Sequence, residues 1–136
     1  MKLLLASPLL LLSACGANVA ADPVRTAKAE TQLGELLAGM TPGRVMTCLP
    51  RQYAERQTII DESTIVFRPN AGRSRVYRSN LSPSCPGLDR YSTIIRRSTQ
   101  TSICSGEIFE VRDSGTQFPR GSCTFGDFTE YKAVDR

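Results

Sequence analysis

The chain has 136 residues, five Cys and neither His nor Trp, with 17 basic and 13 acidic side chains for a net charge of +4. That length suits one domain, and without His there is no Ser-His or Cys-His catalysis and no imidazole metal ligand. An apolar share of 40% argues against disorder, and the charge is too mild to point to nucleic acid.

The chain opens on Met1-Lys2, followed by the Leu-rich run 3–12. A basic start and a short apolar run read as a secretory signal, too short to span a bilayer of about 30 Å. The run closes on Leu12-Ser13-Ala14-Cys15, which resembles the lipobox of bacterial lipoprotein precursors. In that family a lipid is attached to the Cys thiol and the peptide is cut just before it. The resemblance therefore implies a signal peptide over 1–14 and lipidation of Cys15. Several acyl chains anchor durably where a single one is marginal. Gly16 follows the Cys, where the family's inner-membrane retention signal carries Asp, so the expected location is the periplasmic face of the outer membrane. Cutting after residue 14 of 136 leaves 122 residues and, with Lys2 gone, a net charge of +3.

Residues 15–30 carry small and polar side chains without apolar periodicity and read as a flexible tether. A domain over 31–136 follows. In residues 31–40, Leu33, Leu36, Leu37 and Met40 fall at i, i+3, i+4 and i+7, one face of a short helix. Thr31 stands where a cap belongs, and Thr41-Pro42-Gly43 ends the pattern. Short β-type runs come next. Residues 57–60 and 64–67 flank Asp61-Glu62-Ser63 as a hairpin, and a turn at 69–72 leads into 74–78. Further strands are expected at 91–96 and 107–112, with one or two between Cys123 and Tyr131. Sequential strands with short turns predict a mainly β fold, a small antiparallel barrel or sandwich preceded by the helix.

Four Cys remain for this domain, Cys48, Cys85, Cys104 and Cys123, at spacings of 37, 19 and 19 residues. These spacings lack the close ligand pairs of a zinc site, there is no phosphate-binding Gly-rich loop, and no metal or cofactor is expected. In an oxidising compartment four Cys form two disulfides, each contributing about 3 to 4 kcal/mol. Three pairings are open to them.

One tetrapeptide invites a catalytic reading. Asp113-Ser114-Gly115-Thr116 matches the Asp-Ser/Thr-Gly signature of retroviral-type aspartic proteases, whose dimers bring two Asp together to share a proton, and would make the chain an aspartic hydrolase using Asp113. Here Arg112 precedes the Asp in place of an apolar strand residue, and Asp-Ser-Gly is ordinary turn chemistry. Adjacent Asp61 and Glu62 point apart, and Glu107 and Glu110 fall on opposite strand faces. No acid–base couple emerges, and a non-catalytic role is the expectation.

Charge is unevenly distributed. Residues 44–97 hold ten Arg and no Lys against four acidic residues, while 98–136 hold four basic and six acidic. Arg68, Arg73, Arg75 and Arg78 crowd one hairpin beside Tyr77, although Arg75 and Arg78 belong to opposite strand faces. Arginine grips phosphate and carboxylate bidentately, so these four are the candidate contacts for a periplasmic protein, peptidoglycan or lipopolysaccharide.

From Cys48 to Phe128 the chain resembles an uncharacterised family of small Gram-negative envelope proteins, a domain of unknown function. The matching pieces are Cys48-Leu49, Ile60-Asp61-Glu62-Ser63-Thr64-Ile65-Val66-Phe67 and Arg75-Val76-Tyr77-Arg78-Ser79-Asn80-Leu81. They continue with Ser84-Cys85-Pro86-Gly87-Leu88, Ile103-Cys104-Ser105-Gly106-Glu107-Ile108 and Gly121-Ser122-Cys123-Thr124-Phe125-Gly126-Asp127-Phe128. Glu107 departs from the Asp that follows Ser-Gly in the family. Shorter similar proteins keep the second and fourth Cys, so the resemblance implies Cys85–Cys123 and leaves Cys48–Cys104. It brings no ligand or activity. A narrower resemblance, in Arg75-Val76-Tyr77-Arg78-Ser79 alone, is to the loop of lysozyme-inhibitor lipoproteins.

Overall fold

The computed structural model describes residues 23–135; the segment 1–14 expected as a signal peptide and Cys15, expected to carry lipid, lie outside the described residues. One helix, α1 (Pro23–Leu36), precedes ten strands: β1 (Met40–Met46), β2 (Cys48–Leu49), β3 (Arg56–Asp61), β4 (Thr64–Arg68) and β5 (Arg75–Asn80), then β6 (Ser92–Arg96), β7 (Ile103–Cys104), β8 (Ile108–Asp113), β9 (Pro119–Thr124) and β10 (Phe128–Ala133). They form a five-stranded sheet in the order β1-β10-β5-β4-β3, a three-stranded sheet β6-β8-β9 and the pair β2-β7. All pairings are antiparallel. The mainly β expectation holds, as two open sheets facing each other.

Period-two alternation explains the layering. Ile59, Ile65, Phe67, Tyr77 and Phe128 point from the large sheet toward Phe109 and Val111 of the small one and build the main core. The alternate residues Ile60, Val66 and Val76 point the other way and are covered by Ala29, Leu33, Leu36, Leu37 and Met40. The large sheet is therefore buried on both faces where the helix crosses it. This accounts for the unbroken apolar run Ile65-Val66-Phe67, all fully buried, which a one-sided strand would interrupt with polar residues.

The helix starts earlier than expected. Residues 23–30, expected as tether, belong to it. Pro23 fits a first helical position, and the following Ala, Lys and Glu are strong helix formers. Of the side chains from 27 to 30 only Ala29 is buried, so no large apolar residue announces the added turns. The helix also ends before Met40, which opens β1 while still packing in the helix-side cluster. Gly39, at φ 70°, makes the change of direction.

The long connection between β5 and β6 crosses one end of the sheets. It is pinned by backbone bonds from Leu81 to Ser63 and from Cys85 to Glu62, and its Leu81, Cys85 and Leu88 are buried. Between β9 and β10 the chain passes so close to β5 that a Cβ on Gly126 would run into the Asn80 carbonyl.

Candidate functional site

The hairpin register sets the first part of the site. Counting outward from the Asp61-Glu62-Ser63 turn, Ile59 pairs with Ile65 and Arg56 with Arg68. Two guanidinium groups thus stand side by side where β3 begins and β4 ends. The following turn, bent at Gly72 (φ 84°), brings Arg73 to the same place. Arg56, Arg68 and Arg73, with Pro69, Asn70 and Gly72, line a concavity of about 170 Å³.

Asn70 organises this corner. Arg56 donates from Nε to the Asn70 side-chain oxygen at 3.0 Å and from Nη2 to the Asn70 carbonyl at 2.7 Å. The Asn70 backbone N–H in turn donates to Glu55 at 2.8 Å. Arg68 reaches Thr58 through one Nη at 3.4 Å, while its buried Nε has no hydrogen-bond acceptor. Among the described residues none of the three arginines is in an ion pair. The corner carries three positive charges within reach of one small volume.

The four arginines singled out from the sequence do not form one patch. Arg68 and Arg73 share the corner, but Arg75 projects from the opposite face of the sheet. There it lies 3.5 Å from Glu130, a carboxylate with 1% of its side chain exposed. Arg44 and Lys132 approach the same carboxylate at 3.5 and 3.6 Å, and the buried Tyr77 hydroxyl donates to it at 3.5 Å. Burial pushes the Tyr77 hydroxyl above its ordinary pKa. Arg78 lies on the helix side of β5, paired with Val66 on one neighbour and Thr129 on the other. Its Nε is buried without an acceptor.

Arg56 and Asn70 were absent from the sequence-derived set. The signal for Arg56 was present in the hairpin register, since fixing the turn at 61–63 fixes its position opposite Arg68. Nothing local marks Asn70, whose role depends on a side chain fourteen residues away.

Asp113 is engaged as a turn residue. Its Oδ1 accepts from the Gly115 and Thr116 backbone N–H groups at 3.0 and 2.9 Å and from the Thr116 hydroxyl at 3.0 Å. Its Oδ2 takes Arg120, which also donates to Asp89 at 2.9 Å. The Thr116 backbone and hydroxyl hold the Asp113 carboxyl below its ordinary pKa, with Gly115 and Arg120 adding to the effect. A retroviral-type dyad would pair this carboxyl with that of a second copy; within the chain its nearest acidic neighbour through Arg120 is Asp89.

The remaining acidic pairs are also occupied. Asp61 accepts from the Ser63 N–H and hydroxyl within its turn. Glu107 is bidentate with Arg96 at 2.8 and 3.0 Å, and Glu110 is held by Arg112 and Arg97. The stretch 75–79 lies in β5, in the middle of the large sheet, with Val76, Tyr77 and Ser79 buried.

All four described Cys are in disulfides. Cys48–Cys104 joins directly paired positions of β2 and β7. Cys85–Cys123 ties the β5–β6 connection to β9. Both are the pairs that the family resemblance implied. The chain matches no family model, no curated protein and no solved structure.

Proposed function

We propose that this protein is a non-catalytic envelope domain, lipid-anchored through Cys15 to the periplasmic face of the outer membrane, that binds an anionic partner. The observation that carries this reading is the corner of Arg56, Arg68 and Arg73, where three arginines line one concavity and, among the described residues, none of them is in an ion pair. Elsewhere the described arginines largely find acids: Arg96, Arg97, Arg112 and Arg120 are all in ion pairs. Three planar donors around one concavity suit phosphate or carboxylate, which arginine grips with two parallel bonds.

A non-catalytic role is supported by how the reactive groups are used. Asp113 is saturated by its turn and Arg120, the described thiols are in disulfides, and the chain has no His.

The test is made in intact cells with a photo-crosslinking residue at Ala71, exposed on the turn of the corner. Adducts that disappear when Arg68→Gln and Arg73→Gln are added support the reading; adducts that are unaffected by both substitutions overturn it. Cys15→Ser tests the anchor in the same cells. The protein should leave the detergent phase, and continued partitioning into detergent contradicts lipidation.

A further inference from the structure

A second depression opens beside the arginine corner. It lies between the free edge of β3 with the preceding turn and the connection from β6 to β7, and it measures about 670 Å³, within the range of small-ligand sites. Asn70 lines both this groove and the arginine corner, so the two adjoin at that residue.

The groove's lining has a definite chemistry. Gln57 and Gln100 contribute amides, Thr99 and Thr101 hydroxyls, and Glu55 a carboxylate. Both donors and acceptors are present in this lining. Among the described residues the apolar lining is confined to Ala54 and Ile103, and no aromatic ring lines the groove. An acyl chain would find no apolar wall there and a nucleotide base no stacking surface, whereas a string of hydroxyl and amide groups would find partners throughout. Charge differs between the two. In the groove Arg96 is neutralised by Glu107, and Arg51 and Glu55 contribute one charge of each sign, while the charged residues lining the corner are three arginines.

We infer that the groove and corner together bind an acidic glycan, the neutral sugar frame lying against Gln57, Gln100 and the threonines and a carboxylate or phosphate seated among Arg56, Arg68 and Arg73. This rests on the reading of the corner as an anion site. It adds the class of the ligand. Peptidoglycan supplies the carboxylate form of this chemistry and lipopolysaccharide core the phosphate form.

The test is calorimetric titration of the full chain in detergent with four probes: inorganic pyrophosphate, chitobiose, the N-acetylglucosamine–N-acetylmuramic acid disaccharide and a phosphorylated core oligosaccharide. At least one acidic glycan should bind about tenfold or more tightly than both chitobiose and pyrophosphate, the size of one good charge-assisted hydrogen bond. The tighter of the two acidic glycans identifies the source. Gln57→Ala with Gln100→Ala should remove the advantage over pyrophosphate, and Arg68→Gln with Arg73→Gln the advantage over chitobiose. If pyrophosphate binds as tightly as either glycan, or the groove variants change nothing, the glycan inference fails while the anion site stands. If the arginine variants leave every affinity unchanged, both fail.

Discussion

Arg56 and Arg68 face each other directly across the β3–β4 ladder, two like charges at positions where opposite charges favour pairing and equal ones oppose it. Asn70 accepts two bonds from Arg56 and so turns it toward the following loop, but it does not neutralise it. Arg68 adds a buried Nε with no acceptor. Both features cost folding stability and both concentrate positive charge at one mouth. That combination suits a site whose missing acceptor arrives with a ligand.

Arg68→Met should therefore stabilise the domain. It keeps the aliphatic stem while removing the like-charge contact and the unsatisfied donor, a gain of about 1 kcal/mol. The urea midpoint of the variant measures this, and a fall of similar size would mean that the guanidinium holds the fold together.

Glu130→Gln should destabilise. The carboxylate is buried, and without its charge Arg44, Arg75 and Lys132 are left around a neutral amide. A fully buried broken pair costs about 3–5 kcal/mol, and because the three cations are largely solvated the expected loss is about 2 kcal/mol. Equilibrium unfolding at low and high salt checks it; the deficit should shrink as salt screens the mutual repulsion of the cations.

The β8–β9 turn should fail in acid. At Asp89 burial raises the pKa, but Arg120, the Tyr91 backbone and Ser92 together outweigh it and the net direction is down. Asp113 is also lowered, by Thr116 first. Groups with a depressed folded-state pKa contribute their full stabilisation above the unfolded value near 3.9 and lose it as pH falls through the folded value. Asp113→Asn should be less stable than the parent at neutral pH, and the gap should narrow progressively as pH falls below the unfolded value near 3.9. A gap that stays constant between those conditions contradicts the assignment.

Either disulfide should matter strongly. The sequence separations are 56 and 38 residues, loops whose closure in the unfolded chain corresponds to about 4 kcal/mol each. The loops interlace, so removing one pair as Cys→Ala costs less than that while the other remains. Thiol titration in denaturant should find no free thiol among Cys48, Cys85, Cys104 and Cys123.

Local chemistry made much of this fold legible. The Asp61-Glu62-Ser63 turn identified the β3–β4 hairpin, and the Leu33, Leu36, Leu37 spacing identified the helix face that covers Val66 and Val76. Of the strands that escaped notice, β2 and β7 span two residues each, too short to show a period, and β1 and β9 lack a clear apolar alternation. In β1, which includes Pro42 and a register shift between Pro42 and Val45, an edge position tolerates the missing N–H. β9 is largely exposed, so it carries no alternating pattern. The site was half legible for a similar reason. Arg68 and Arg73 are near neighbours in sequence, and alternation already set Arg75 apart from Arg78. Asn70 reaching back to Arg56, by contrast, is a tertiary relationship without a local signature.

The most direct measurement of the central claim is titration of the full chain with inorganic pyrophosphate at low and at physiological salt, for the parent and for Arg68→Gln with Arg73→Gln. The parent should bind with an affinity that weakens as salt rises, and the variant should lose about tenfold or more at low salt. Equal binding by parent and variant, or no binding by the parent at low salt, would contradict an anion site in this corner.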